Sequence, residues 1–544
     1  MEYNFDETSI NENHSAYSDF FPSKRSFDAT DSVFAWVSVI LGYIFCRAFP
    51  STLKPLYSLI FIILLYAATF VILIFKKAKI GKAALAVAAS GIMVSLSLFL
   101  SGNPVIHIFA FGYGALAYCY FVYTSFENRL ESGISSLILI DFIKAAFVVP
   151  FKATGGILSA MFSKNNNKFG SVIGKILVGV LIAIIPTAIV FNLLSFDSGF
   201  LNILRNIFSF NFTDIPMQVV SIILAVPVGS YIFRLFISSH DKSAKNILTV
   251  ENCNKTSKNA SVAPIITVFA ATIPLLFMYV VFFVSQWKYY ISGFLGELPE
   301  NVNYATYARD GFFQLLAVAA INLAVISAVQ LFCKKGQKIG DLMIRILTVI
   351  ICVFTLILIS TAISKLVLYI NEHGLTPKRV HAFWGMIVLT LIFTAVILKQ
   401  IVRKIKLIPI GLAISVVMFF ALGVSGSDRL IAKYNIDRYI DGSLNKIVVD
   451  DLDKLGDAAI PEYIRLEENL KAKFAAMPDD QKNAYRKTYD YKLFFELKMK
   501  LENIEATFNY DWYEITLPKI LADSALENRI DSNIPYSVFV KPSE

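Results

Sequence analysis

A chain of 544 residues that is 56% hydrophobic and only 17% charged, with a mean hydropathy of +0.60, is too apolar for a soluble globular protein. Its net charge of +9 is unevenly spread: residues 426–544 hold 17 Lys/Arg against 22 Asp/Glu, a balance of −5, so the rest carries +14. That positive charge sits in short connectors beside apolar runs, which points to membrane topology and away from nucleic-acid binding.

Met1–Asp31 is polar, with seven acidic and two basic residues, and has no signal-peptide pattern. The first apolar run is therefore expected to direct insertion. Eleven runs near 20 residues follow, at 33–49, 55–75, 83–101, 104–124, 171–193, 217–237, 262–284, 312–332, 342–368, 381–398 and 407–425. A hydrocarbon core about 30 Å thick needs helices of this length. Backbone groups in lipid must be satisfied within their own segment, so the runs read as helices.

The connectors alternate in charge. Those after spans 2, 4, 6, 8 and 10 carry 22 Lys/Arg, including Lys76, Lys77, Arg129, Arg234, Lys334, Lys338, Arg345, Lys399, Arg403 and Lys406. The opposite connectors carry seven: Arg47, Lys54, Arg205, Lys288, Arg309, Lys378 and Arg379. The positive-inside bias then predicts a cytoplasmic N-terminal tail (1–32), a membrane domain (33–425) and an extracytoplasmic C-terminal tail (426–544) in the cell membrane.

Between spans 4 and 5, Ser132–Phe162 is apolar but broken by Asp141, Lys144, Lys152 and Gly155-Gly156. It reads as an amphipathic helix on the cytoplasmic interface, with lysines snorkelling, or as a re-entrant hairpin. A single crossing would conflict with the charge bias. Ser198–Pro216 reads as a second interfacial piece. Pro186, Pro227 and Pro274 fall inside spans and predict kinks, which can mark a transport path but are also common packing details. Span 9 is long, and Lys365 near its outer end is expected to snorkel outward.

The most distinctive connector is Trp287–Phe313, WKYYISGFLGELPENVNYATYARDGFF. Gly293, Gly296 and Pro299 predict an aromatic hairpin over 287–302, and Asn303 predicts a cap for a helix carrying Arg309-Asp310 into span 8. Beyond Ser425-Gly426-Ser427-Asp428, which reads as a short linker, charged helical patterns predict a small module. One helix is expected over Pro461–Ala476 and another from Asp479 to Lys500, with Tyr485, Tyr489, Leu493, Phe494, Leu497 and Leu501 on one face. Tyr510, Trp512 and Tyr513 are expected to close its core.

Chemical motifs are scarce. The five cysteines are scattered, and among the five histidines there is no HExxH. No glycine-rich phosphate loop occurs. Neither a metal nor a cofactor is expected, and no catalytic residue is assigned.

Three stretches carry a resemblance. GELPENVNYATYARDGFFQLL (296–316), Tyr369–Arg379 followed by Trp384, and Asn435–Tyr439 resemble, in that order, signature segments of an uncharacterised bacterial membrane family, the domain of unknown function 4173 family, related to the 4153 group. His373 stands where that pattern has an aromatic, and Pro377 is an insertion into the turn. The resemblance implies an integral membrane protein without an assigned activity.

All three stretches fall on the same predicted outer side. The sequence therefore suggests that Arg309, Asp310, Arg379, Asp437 and Arg438 converge into one polar site, where two arginines hold a phosphate or carboxylate, or else pin loops together. The expected whole is an all-α polytopic bundle with a small helical extramembrane domain. Three functions fit it. The first is a non-enzymatic envelope scaffold, sensor or regulator, with the lipid bilayer and other membrane or envelope proteins as partners. The second is a carrier for an anionic or lipid-linked solute, and the third a membrane-embedded transferase.

Overall fold

A computed structural model describes residues 26–48, 54–131, 135–152, 156–162, 190, 215–243, 248–295, 304–334 and 338–531. Regular structure among them is helical. Among the described residues ten helices are long and apolar enough to cross a membrane, from Ala29–Ala48 to Leu407–Val424, and the protein is a multi-pass membrane bundle. All but Val190 of the span expected at 171–193, Pro186 included, and nearly all of Ser198–Pro216 lie outside the described residues.

The described residues form two compact units, one within 1–92, 114–130 and 139–248, the other within 93–113, 131–138 and 249–544. In the first, helix Ala29–Ala48 lies along helix Ile215–His240. A Cβ on Gly42 would meet the Ala225 carbonyl oxygen at 2.3 Å, and one on Gly229 would meet the Ser38 carbonyl oxygen at 2.7 Å. Where lipid supplies no hydrophobic drive, such close approach of small residues lets dispersion hold two helices together. Lys76 closes this unit's basic end by pairing with Asp28 and Asp31, both at 2.7 Å.

The segment expected as one amphipathic helix over Ser132–Phe162 is instead a chain of short pieces. Helix Ile138–Ile143 passes into a π-turn at Lys144–Val148 and a 3-10 turn at Val149–Phe151, and Ile157–Met161 follows as a separate turn. Pro150 is the physical reason: it has no N–H to give the Ala146 carbonyl, and the Tyr231 hydroxyl donates to that oxygen instead, at 2.7 Å. Asp141 and Lys144 are buried, whereas Leu139, Ile143, Phe147 and Phe151 are exposed at four-residue spacing. Lys144 therefore does not snorkel. Asp141 and Lys144 turn inward, whereas Lys152 is exposed.

The second unit holds two cores. One, built by Leu315, Ala319, Leu347, Ile351, Leu358 and Phe393 among others, joins the helices Ile265–Leu295, Tyr304–Phe332, Lys338–His373 and Pro377–Ile401. Inside it the Tyr279 hydroxyl donates to Asn322, whose amide donates to Thr355 at 2.8 Å. Lys365 is buried here at 8% exposure and does not snorkel as expected. The helix from Ile265 continues to Leu295, so 287–295 is helical and no hairpin begins at Trp287. Gly293 lies within it, for a lone glycine weakens a helix by only about 1 kcal/mol. The next helix is described from Tyr304, and the cap expected at Asn303, with Gly296 and Pro299, lies outside the described residues.

The other core belongs to the C-terminal module, packed from Ile431, Ile436, Leu455, Tyr463, Leu466, Leu497 and Leu526. Its helices are Ser427–Ile440, Ile460–Ala475, Asp479–Tyr485, Tyr489–Thr507 and Leu517–Asp531, with shorter turns between. The linker shrinks to Ser425 and Gly426, the latter at φ +60°. The helix expected from Asp479 to Lys500 is broken at Arg486–Thr488, although Leu493, Phe494, Leu497 and Leu501 are buried as the pattern requires. Trp512 is 56% exposed and does not close the core; Ala522 and Leu526 do.

Candidate functional site

Helix Lys338–His373 ends because Gly374 takes φ +74°, with its N–H donating to the Ile370 carbonyl at 2.8 Å. This is the left-handed cap that glycine adopts at no steric cost. Thr376 is extended and Pro377 takes the first helical position of Pro377–Ile401. A proline there loses no backbone bond, which gives the inserted Pro377 a structural role.

Two arginines converge on this turn. Arg379 Nη1 donates to the carbonyls of His373, at 3.0 Å, and of Gly374, while its guanidinium lies 4.2 Å from the Tyr369 ring centroid. Arg438 reaches from helix Ser427–Ile440 to the Ile370 carbonyl at 3.3 Å, and fastens the turn after its own helix through Ser443 Oγ at 3.0 Å and the Ser443 carbonyl at 2.9 Å. Cations at a helix C-terminus also oppose its dipole. One turn before Arg438, Asn435 accepts from the Leu375 N–H at 2.7 Å and donates to the Leu375 carbonyl at 2.8 Å. Leu375 and Val380 pack on the module's core.

The residues singled out by sequence thus separate into three groups. Arg379 and Arg438 meet at one helix end, with their donors on backbone carbonyls. Asp437, next in sequence to Arg438, turns away and pairs with Arg465 at 2.6 Å, whose Nε lies 2.8 Å from Glu462. Adjacent residues on a helix point about 100° apart, so one helix cannot aim both at one ligand. The side chains of Arg309 and Asp310 lie outside the described residues.

Asn435 is the residue that sequence reasoning passed over, although it opens the 435–439 signature. Two further polar features lay outside that reading. Asp428, just past the last span, is 5% exposed and hydrogen-bonded by Asn103, and burial pushes its carboxyl up to about 6. Nearby in sequence to Asn103, His107 donates through Nε2 to the Ser101 carbonyl at 2.7 Å. Arg529, 8% exposed at its side chain, donates twice to Glu467 at 2.9 Å and also to Glu505.

The module also has an open cleft of about 430 Å³ lined in part by Asp453, Asp457, Tyr463, Lys500, Tyr510 and Lys519. Its charges are largely spent on one another. Lys500 pairs with Asp453, which also accepts from Tyr463 at 2.7 Å, and Lys519 pairs with Glu514 at 3.1 Å. Among the described residues no group of three or more His, Cys, Asp or Glu could hold a metal ion.

A family model described as "Domain of unknown function (DUF4153)" matches residues 60–466. The match runs from the second span into helix Ile460–Ala475 and takes in all three signature stretches. It is to the 4153 group, named above as the relative of 4173. No curated protein and no solved structure matches the chain.

Proposed function

The chain belongs to the DUF4153 family, whose description assigns no activity, and from that premise we propose that it is a non-enzymatic envelope scaffold, sensor or regulator. In this reading it presents the helical module at 427–531 on the extracytoplasmic side of the cell membrane, for contact with other membrane or envelope proteins. The observation that carries the reading is the fastening of the module to the membrane helices. Asn435 and Arg438 of the module hold the backbone at Ile370 and Leu375, and Arg379 braces the same turn. A chain that uses its signature residues to fix the attitude of an extramembrane module is suited to display.

The carrier reading needs polar groups along a path through the membrane with valences left for a solute. The described mid-span groups Tyr279, Asn322 and Thr355 satisfy one another. A transferase needs carboxylates or histidines gathered at a groove, and Asp437 and Glu462 are instead taken up by Arg465.

Sidedness is tested with Glu514→Cys in a background lacking the native cysteines, using an impermeant thiol reagent. Labelling in intact cells is expected; labelling only after lysis removes the reading. The display role is tested by native electrophoresis of gently extracted membranes. Asn435→Ala and Arg438→Ala are expected to shift the protein out of a larger assembly without loss from the membrane. Accumulation of an anionic solute by proteoliposomes of the purified protein would favour the carrier instead.

A further inference from the structure

Helix Tyr304–Phe332 ends, helix Lys338–His373 begins and helix Pro377–Ile401 ends around a cleft of about 230 Å³. Its deep wall is apolar, with Val329 at 8% and Ile344 at 7% exposure. Its mouth carries Arg345, Lys399 and Arg403 against the carboxylate of Asp341. Three cations and one anion leave an excess of two positive charges at the end of apolar helices.

Asp341 and Lys399 already have interactions of their own. Among the described residues, no hydrogen bond or ion pair engages the guanidinium of Arg345 or Arg403. Arg345 is half-buried, and an arginine at that depth is costly to leave without a counter-charge. The flanks of the same helices expose Leu342, Ile346 and Leu398 to the surroundings. A cationic mouth above an apolar wall, at the level where helices leave the membrane, is complementary to a phosphate group joined to hydrocarbon.

We propose that this cleft binds a phosphate-bearing anion, with Arg345 and Arg403 gripping the phosphate oxygens and Val329 and Ile344 receiving the apolar part. Guanidinium forks match phosphate oxygens two at a time, and basic pockets between membrane helices suit anionic headgroups. The apolar wall makes an anionic phospholipid the favoured bearer, and free phosphate is the other source of the same chemistry. The site is independent of the junction at Asn435.

The test uses the full-length protein in detergent doped with phosphatidylglycerol, counting retained lipid by native mass spectrometry. A parallel arm measures the thermal shift given by inorganic phosphate. Arg345→Gln/Arg403→Gln is expected to weaken retention roughly thirtyfold, the effect of removing two basic contacts near a membrane surface. Arg345→Lys/Arg403→Lys keeps the charge but not the fork and should fall between. Lys79→Gln/Lys82→Gln, on a different connector, should retain lipid as the wild type does. Stabilisation of the wild type by inorganic phosphate, absent from the Gln variant, assigns the cleft to free phosphate and upholds the anion class. Equal behaviour of wild type and Gln variant in both arms overturns the proposal, as does an equal loss in the Lys79/Lys82 control. Should the Gln variant not fold, retention by the Lys variant equal to wild type overturns the paired-oxygen grip.

Discussion

Asn435 and Leu375, sixty residues apart, exchange two hydrogen bonds, the side-chain amide of one pairing with the backbone N–H and C=O of the other at 2.7 and 2.8 Å. The amide stands in for a peptide unit, so a helix side chain pairs with a loop as a neighbouring strand would. Replacing Asn435 by Leu strips both bonds and strands two backbone groups beside a core. A loss of about 2–4 kcal/mol is expected from two such groups left unpaired, read as a lower thermal midpoint and faster proteolysis at 370–376. Asn435→Asp keeps the acceptor and loses the donor, and should cost less than Leu.

Gly374 and Gly442 separate steric from conformational cost. Both have positive φ, +74° and +81°. A Cβ at Gly374 would fall 2.5 Å from Asn435 Oδ1, whereas none of its neighbours lies within 4 Å at Gly442. Gly442→Ala should cost about 1 kcal/mol, the price of left-handed backbone. Gly374→Ala should cost clearly more, because it also displaces the Asn435 amide. Equal melting shifts for the two would contradict this placement of the amide.

Arg529 is the most committed charge in the module, held by Glu467 and Glu505, with Glu467 itself 5% exposed. Arg529→Met leaves a buried carboxylate without its cation and is expected to destabilise the module by about 3–5 kcal/mol. Arg529→Met with Glu467→Leu removes both charges and should recover much of that loss. Denaturant melts followed by tyrosine and tryptophan fluorescence measure both variants.

The Asp428 carboxyl is raised by burial, against the hydrogen bond from Asn103, to about 6 from an ordinary 3.8. Its folded pKa exceeds its unfolded one, so the folded state binds the proton more tightly. Stability should therefore fall as pH rises from about 4 to about 6 and stay lower above that. Asp428→Asn is expected to flatten this slope and to stabilise the protein at neutral pH by up to about 3 kcal/mol. Thermal midpoints across the acid range, wild type against variant, decide the matter.

In the first unit, Tyr231→Phe leaves the Ala146 carbonyl without its donor, for an expected loss of about 1–3 kcal/mol. Pro150→Ala restores a backbone N–H in that turn. The double variant should be more stable than Tyr231→Phe alone, and hydrogen exchange across 144–151 should slow relative to the single variant.

The helices themselves were legible in the residues, because lipid leaves a 20-residue apolar run no other way to satisfy its backbone. The helix near 460–475 and the buried face of Leu493, Phe494, Leu497 and Leu501 follow from local rules of the same kind. Local rules misjudged Gly293, which the long helix absorbs, and Trp512, whose size suggested a core that smaller residues fill. They also cast Lys144 and Lys365 as snorkelling, since long aliphatic stems permit it. Whether a lysine turns to water or inward depends on neighbours distant in the chain.

By itself, then, the sequence determined a many-span helical membrane protein with a charged helical C-terminal module, because hydrophobic length and charge asymmetry act residue by residue. Only the tertiary structure decided what its polar side chains do. Arg379 and Arg438 close a helix end, Asp437 turns away to Arg465, and Arg345 and Arg403 line one cleft. Such meetings depend on which helix ends come together, and that is settled by packing over the whole unit.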